Sequence, residues 1–461
     1  MGKYFGTDGF RGEANQTLTS MQAYRIGRFI GWYFGKRLHR SEKARIVIGK
    51  DTRLSSYMLE YSIAAGITAS GADAYMLHVI TTPGVSYVTR VDGFDLGVMI
   101  TASHNPYNDN GIKLINQNGE KLDDATCDLI EQYIDGNLST MGVTGEDLSL
   151  AVGREIGRIY DYVSGRNRYV GYLISLASNS YKRLKIGIDT ANGAAWMIAP
   201  GVFSALGAHV ECIGDEPSGE NVNLGCGSTH IDALRRLVKD RGLDLGFAFD
   251  GDADRCIAVD SFGNVIDGDR IMYILASRFK KRNMLTGDSI AVTVMSNSGF
   301  IESLRRLGIS ASVTDVGDRY IYERMQSEGL ALGGEQSGHI IIGKYATTGD
   351  GILTAIMLCE ELCDAKMTLY ELARGAIIYP QCTLSVRVRD KDAAMSDSLL
   401  CDTVQKIEAE LSGRGRVLIR KSGTEPVIRV MVECEDELRC SLYAQRIQAA
   451  INEGERSENE N

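Results

Sequence analysis

The chain has 461 residues, 44% of them apolar and 24% charged, ordinary globular proportions in a length too great for one hydrophobic core. About three or four domains are expected. A net charge of −10 excludes a general nucleic-acid or acidic-membrane surface, so any anionic ligand must be held by a local cluster of arginine and lysine. Ten cysteines without a C-x-x-C pair read as packed thiols of a reducing compartment. With no apolar signal core and no run near ~18 apolar residues, a cytoplasmic protein that does not enter the membrane is expected.

The first stretch, Tyr4-Phe5-Gly6-Thr7-Asp8-Gly9-Phe10-Arg11-Gly12, reads as a glycine-rich loop that brings backbone N–H groups and the Arg11 guanidinium toward an anion. A helix is predicted from Ser20 to Leu38, then a strand from Arg45 to Gly49 opening on Lys50-Asp51-Thr52-Arg53. A helix to Ser70, a strand from Asp73 to Leu77, a short helix after Pro83 and an apolar strand ending at Ile100 complete a βαβ series. Its last loop is Thr101-Ala102-Ser103-His104-Asn105-Pro106, with Lys113 beyond. Asp123 to about Arg183 reads as mostly helical.

A second series follows, with strand Lys185–Asp189, a turn at Asn192-Gly193, helix Ala194–Leu206, strand His209–Ile213, helix Asp232–Arg241 and strand Leu245–Phe249. It delivers Asp250-Gly251-Asp252-Ala253-Asp254-Arg255. A third begins at Ser289, passes a loop Val316-Gly317-Asp318-Arg319, and from a strand at Leu330–Leu332 delivers Gly333-Gly334-Glu335-Gln336-Ser337-Gly338-His339. The last 90 or so residues alternate instead. A strand at Thr383–Val388, a long helix and two strands around Arg420-Lys421-Ser422-Gly423-Thr424-Glu425-Pro426 make an α+β domain with a hairpin edge, and the tail from Asn452 is expected to fray. The predicted fold is therefore α/β: three related αβ domains with mixed, mostly parallel sheets (1–150, 151–257, 258–372) and a C-terminal α+β domain (373–461), around a central cleft.

The chemistry lies in the loops. Asp250, Asp252 and Asp254 crowd one short loop, and oxygen ligands of that kind suit Mg²⁺. An EF-hand is excluded, because the sixth position is Arg255 and the twelfth Ser261. The turn at Arg420, with Arg429 on the returning strand, has the parts of a phosphate nest, and Glu335, Ser337 and His339 are spaced to meet sugar hydroxyls. A serine hydrolase is a rival for Ser103, but no G-x-S-x-G occurs and His104 is not expected to turn back onto its neighbour's hydroxyl. Phosphoryl transfer suits the set better. A phosphatase using Asp250 as nucleophile and a non-catalytic sugar-phosphate sensor are the other readings; the intact serine and metal loop argue against the sensor.

In order, KYFGTDGFRG, TASHNPYNDNGIK, CGSTH, AFDGDADR, VGDRY, GGEQSGH and RKSGTEPVIRVMVE closely resemble the α-D-phosphohexomutase superfamily from end to end, and within it the bacterial enzymes acting on glucosamine phosphates. The resemblance implies isomerisation of glucosamine 6-phosphate and glucosamine 1-phosphate through a phosphoserine at Ser103 and a bound glucosamine 1,6-bisphosphate, supplying UDP-N-acetylglucosamine and cell-wall precursors. It implies one Mg²⁺ held by the Ser103 phosphate, Asp250, Asp252 and Asp254. Arg11, Lys113 and Arg255 would line the phosphoserine side, with Arg11 or Lys113 involved in proton transfer. Glu335 and Ser337 would grip the sugar, and Arg420, Ser422, Gly423, Thr424 and Arg429 the phosphate that is not reacting. Relatives acting on neutral hexoses commonly carry Gly-His where this chain has Gly317-Asp318, so Asp318 is expected to favour an ammonium at C2. A phosphomannomutase or phosphoglucomutase is the alternative. The expected partner is a small amino-sugar phosphate, with a homodimer possible.

Overall fold

Two apolar runs, Leu96–Ile100 and Leu245–Phe249, are buried at every position, as strands covered on both faces must be. In the computed structural model, which describes residues 2–6, 8–37, 42–137, 148–421 and 427–457, each is an inner strand of its own sheet. The described residues form two compact units. One comprises Met1–Val294 and Ser312–Ala373, the other Met295–Ala311 and Arg374–Asn461.

The larger unit repeats one strand arrangement. Around Leu96–Ile100 the order is Asp109–Asn116, Leu96–Ile100, Arg45–Lys50, Asp73–Val79, the first antiparallel and the rest parallel. Around Leu245–Phe249 it is Cys256–Asp260, Leu245–Phe249, Lys185–Asp189, His209–Ile213, again with only the first antiparallel. In the third sheet Ile340–Ile342 runs antiparallel to Leu332–Gly334, which is parallel to Ser289–Thr293. The strand ending at Thr314 borders it, Val294 N–H donating to the Thr314 carbonyl at 2.9 Å. Ser103, Asp250 to Asp254 and Glu335 to His339 thus occupy equivalent hairpin loops, after the buried strand and before its antiparallel partner.

Several expectations need correction. The stretch around Arg11 contains a strand, Gly9–Glu13, antiparallel to Asp109–Asn116 with Arg11 opposite Gly111. Lys113, beyond the Ser103 loop, sits on that second strand, opposite Met99. Asn110, Gly111 and Lys113 have weak strand preference, so the neighbouring chain decides the conformation. The mostly helical stretch after Asp123 includes the strand Ile159–Asp161, which pairs with Asp73–Val79 and carries the first sheet past residue 150. The predicted helix from Ala194 begins only at Ile198, after left-handed Ala191 and Asn192. The loop at Val316 is shorter, with Asp318 opening a helix to Glu328. The helix from Ser20 is α-helical to Trp32 and passes into a π-helical turn, Tyr33–Arg37, while Leu38 lies outside the described residues.

In the smaller unit Val427–Cys434 is the middle strand, flanked antiparallel by Gln381–Arg387 and Gly415–Lys421. Its alternate residues Ile428, Val430 and Val432 face a core closed by Ile407 of helix Ser398–Leu411 and Tyr443 and Ile447 of helix Glu437–Ser457. Each large apolar side chain buried there contributes about 2 kcal/mol. The last helix runs to Ser457, well beyond the point where fraying was expected. Among the described residues no helix is long and apolar enough to cross a membrane.

Candidate active site

Ser103 sits in the first hairpin loop with φ +51°, a left-handed conformation that costs a non-glycine residue about 1 kcal/mol. It is 1% exposed. Its Oγ donates to Asp250 Oδ2 at 2.6 Å. The same turn brings His104 Nδ1 to 3.3 Å from Oγ, contrary to the expectation that the two could not meet. Burial, then Arg255 and Arg11, push the His104 imidazole down to about 4, so at neutral pH it is uncharged. Gly251 passes so close that a Cβ there would stand 2.5 Å from the Ser103 carbonyl oxygen.

The hairpin bend between Phe249 and Cys256, with Ala253 left-handed at φ +56°, gathers Asp250, Asp252 and Asp254, all buried, with one oxygen of each within 4.8 Å of the others. Burial, then Asp254 and Asp252, hold the Asp250 carboxyl well above its ordinary range. For Asp254 burial acts the same way, but Lys113 and His339 outweigh it and hold the group well below that range. The Oδ1 atoms of Asp252 and Asp254 are buried without a hydrogen-bond partner. Two unmatched carboxylate oxygens beside a third carboxylate and a serine oxygen make a donor set that fits a hard divalent cation such as Mg²⁺.

Cations surround this cluster. Lys113 Nζ lies 2.9 Å from Asp252, 3.4 Å from Asp254 and 3.2 Å from Asp8. Arg11 pairs with Asp8 and donates to Asn105 Oδ1 at 3.2 Å, and its Nε, like that of Arg255, is buried without a partner. Asp8 is the hub. Burial raises its carboxyl, yet Lys113, Lys121 and Arg11 together hold it far below the usual range. Lys121 also reaches Asp318 at 2.7 Å.

The third hairpin loop completes the wall. Glu335 Oε1 accepts the Gly317 N–H at 3.0 Å, and Ser337 Oγ lies 3.5 Å from Glu335 Oε2. The Gly349 backbone nitrogen lies 3.1 Å from His339 Nε2, and His339 Nδ1 lies 3.6 Å from Asp254. A cavity of about 500 Å³ is lined by Asp8, Arg11, His104, Asp254, Arg255, Asp318, Glu335 and His339 among others. Asp254 lines this cavity and, through Lys113 at 3.4 Å, joins it to the cluster of Asp252, Asp250 and Ser103. Residues separated by more than 200 positions thus converge on one acid- and cation-rich pocket.

Arg420 and Arg429 belong to the smaller unit, where they stand directly opposite each other on the hairpin Gly415–Lys421 and Val427–Cys434. Like charges so placed repel. Ser422, Gly423 and Thr424, expected in the phosphate nest, lie outside the described residues. Sequence reasoning missed Asp8, Lys121 and Thr82, whose hydroxyl donates to Asp252. Asp8 stood in the quoted opening motif and was open to notice; nothing in the local sequence marked Lys121 or Thr82.

All four domains of the phosphoglucomutase/phosphomannomutase family match: α/β/α domain I at residues 2–141, domain II at 167–263, domain III at 267–378 and the C-terminal domain at 384–451. A phosphoglucosamine mutase of Lachnospira eligens is 53% identical over 97% of this chain and 98% of its own. One of Lachnoclostridium phytofermentans is 51% identical over 98% and 99%. Among solved structures, a phosphoglucomutase/phosphomannomutase family protein of Burkholderia thailandensis shares the fold with TM-score 0.77 and 23% identity, covering 98% of each chain. N-acetylphosphoglucosamine mutase of Aspergillus fumigatus, solved with GlcNAc-6P and magnesium, shares it with TM-score 0.68 and 18% identity over 98% of this chain and 96% of that one. With identities above half along nearly its whole length and all four domains matched, the chain belongs to the phosphoglucosamine mutase family of phosphohexomutases.

Proposed function

We propose that the protein interconverts glucosamine 6-phosphate and glucosamine 1-phosphate by way of a phosphorylated Ser103 and an enclosed glucosamine 1,6-bisphosphate. The observation that carries this is the Ser103 hydroxyl, 2.6 Å from Asp250 in a buried trio of aspartates two of whose oxygens lack partners. In the first half-reaction the bond from Oγ to phosphorus breaks as one forms to the sugar's O1, whose proton leaves to a basic group of the pocket. After the bisphosphate turns over, the phosphoryl group on O6 passes to Oγ, and O6 takes up a proton. Arg11, Lys113 and Arg255 provide positive charge for the equatorial oxygens in transit. Asp250, Asp252 and Asp254 would hold Mg²⁺, which when bound supplies further charge to those oxygens. Glu335, Ser337 and His339 receive the sugar hydroxyls, and the paired Arg420 and Arg429, with Ser422, Gly423 and Thr424, receive the idle phosphate, an anion that would relieve their mutual repulsion. The test is incubation with glucosamine 6-phosphate, Mg²⁺ and a trace of the bisphosphate, followed by ³¹P NMR. Absence of glucosamine 1-phosphate would refute the proposal.

Selection of the amino sugar is assigned to Asp318, whose carboxylate lines the cavity although Lys121 shares its charge. For Asp318→Asn the ratio of kcat/KM for glucosamine to glucose phosphates is expected to fall about tenfold, the cost of one weakened charge contact. An unchanged ratio removes Asp318 from this role. Gly251→Ala tests how closely the serine loop must be seated. A Cβ 2.5 Å from the Ser103 oxygen forces that loop outward, and a shift near 1 Å should lower kcat about 100-fold in a steady-state assay.

A further inference from the structure

The backbone of Ser103 is enclosed in a ring of hydrogen bonds. Its N–H donates to Thr101 Oγ1 at 2.9 Å, and the Thr101 hydroxyl donates to Asp51 Oδ2 at 2.7 Å. The same carboxylate oxygen accepts Arg53 Nε–H at 2.7 Å, and Arg53 Nη2 returns to the Ser103 carbonyl at 2.8 Å. Asp51, Arg53 and Thr101 are 0% exposed. The other oxygen of Asp51 is fixed by Arg53 N–H at 3.0 Å and Ser56 Oγ–H at 2.8 Å, so the carboxylate cannot rotate without losing several partners. From the second αβ segment, Asn223 Nδ2 donates to the carbonyls of Ser103 at 2.8 Å and Asn105 at 3.0 Å, the two oxygens that Arg53 Nη2 also holds.

The turn itself is closed by the Asn105 N–H donating to the Ala102 carbonyl at 3.0 Å. Here a buried carboxylate and a buried guanidinium close a circuit around a residue in a conformation that serine seldom adopts. We propose that Asp51, Arg53 and Thr101, backed by Asn223, are positioning residues that hold Ser103 left-handed so that Oγ returns to the same point after each transfer. The inference rests on the phosphoserine mechanism proposed above. In that mechanism Oγ acts twice in each turnover, first as the leaving oxygen and then as the acceptor, while the bisphosphate waits. A loop that relaxes between the two events leaves the intermediate time to escape.

The test uses the full chain with Thr101→Val, which removes the hydroxyl at nearly constant shape, and Thr101→Ser, which restores it. Thr101→Val is expected to lower kcat about 30- to 100-fold with KM within about twofold, as loss of placement without loss of binding requires. It should also release more bisphosphate into solution per turnover. Thr101→Ser should stay within about threefold of wild type on both measures. Circular dichroism and active-site phosphorylation counts correct for any unfolded fraction. Should Thr101→Val fail to fold, Asn223→Ala carries the test with a fall in kcat of about tenfold and the same rise in escape. Wild-type kcat and release in the folded variant, or a loss that Thr101→Ser does not repair, would overturn the inference. A wild-type protein without isomerase activity, or an active Ser103→Ala, defeats the underlying mechanism instead.

Discussion

Ser103→Ala is expected to lower kcat by at least about 10⁴-fold, since the covalent phosphoryl group is proposed to ride on the Ser103 hydroxyl, while substrate KM changes by no more than about threefold. The protein should still fold. The Ser103 Oγ makes two contacts, a hydrogen bond to Asp250 at 2.6 Å and one with His104 at 3.3 Å, and losing a hydroxyl partner costs about 1–3 kcal/mol, less than the stability of the domain. The proposed sugar contacts, Glu335 and His339, stand on a different hairpin loop from Ser103 and do not involve its hydroxyl. Threonine at 103 separates reactivity from placement. It keeps a hydroxyl, but a β-branched residue resists φ +51°, so it too should be nearly inactive. Intact mass spectrometry should find one phosphoryl group on the wild type after incubation with bisphosphate and none on the alanine variant. A phosphorylated alanine variant would shift the nucleophile to Asp250, the phosphatase-like alternative. Wild-type turnover in that variant would leave the serine no role.

What the sequence revealed and concealed divides along a physical line. The buried strands Leu96–Ile100 and Leu245–Phe249 are unbroken apolar runs, and the loops they feed were legible because carboxylates, glycines and a serine there have no use in a core. The strands Gly9–Glu13 and Asp109–Asn116 were not legible, since their polar and glycine residues become strand only by pairing with each other and with Leu96–Ile100. Proximity of His104 to the serine depended on one backbone angle that six residues of sequence do not specify. Lys121 was invisible for a different reason: its partners Asp8 and Asp318 are 113 and 197 positions away, and only the assembled hairpin loops bring them together. In the smaller unit, by contrast, the hairpin could be read from its turn residues, although Arg420, read as part of the turn, stands on the strand Gly415–Lys421 opposite Arg429.

Lys113→Met should expose how much of this site's charge balance rests on one ammonium. The Lys113 side chain is 6% exposed and its Nζ touches Asp252, Asp254 and Asp8, so its removal leaves buried carboxylates without their counter-ion. Breaking a buried pair from one side costs about 3–5 kcal/mol, and a loss of that order is expected in chelator by urea or thermal unfolding. The sign of the pH dependence follows. Burial disfavours the Lys113 charge, but Asp252, Asp8 and Asp254 overcome this and raise its pKa well above 10.5, so in the wild type its stabilisation is complete below 10.5 and lost only at more alkaline pH. In the methionine variant the deficit should be greatest at neutral pH and shrink as acidification toward about pH 4 protonates the stranded carboxylates. Mg²⁺ should raise the melting temperature of the variant more than that of the wild type, because the cation and the ammonium neutralise the same oxygens. Activity should not follow. With the cation restored, the pocket still lacks a charge for the moving phosphoryl group, and kcat should stay down by at least about 100-fold. A variant as stable as wild type in chelator and indifferent to Mg²⁺ would mean that the three aspartates tolerate one another without help, and the cation site inferred from their unmatched oxygens would have to be abandoned.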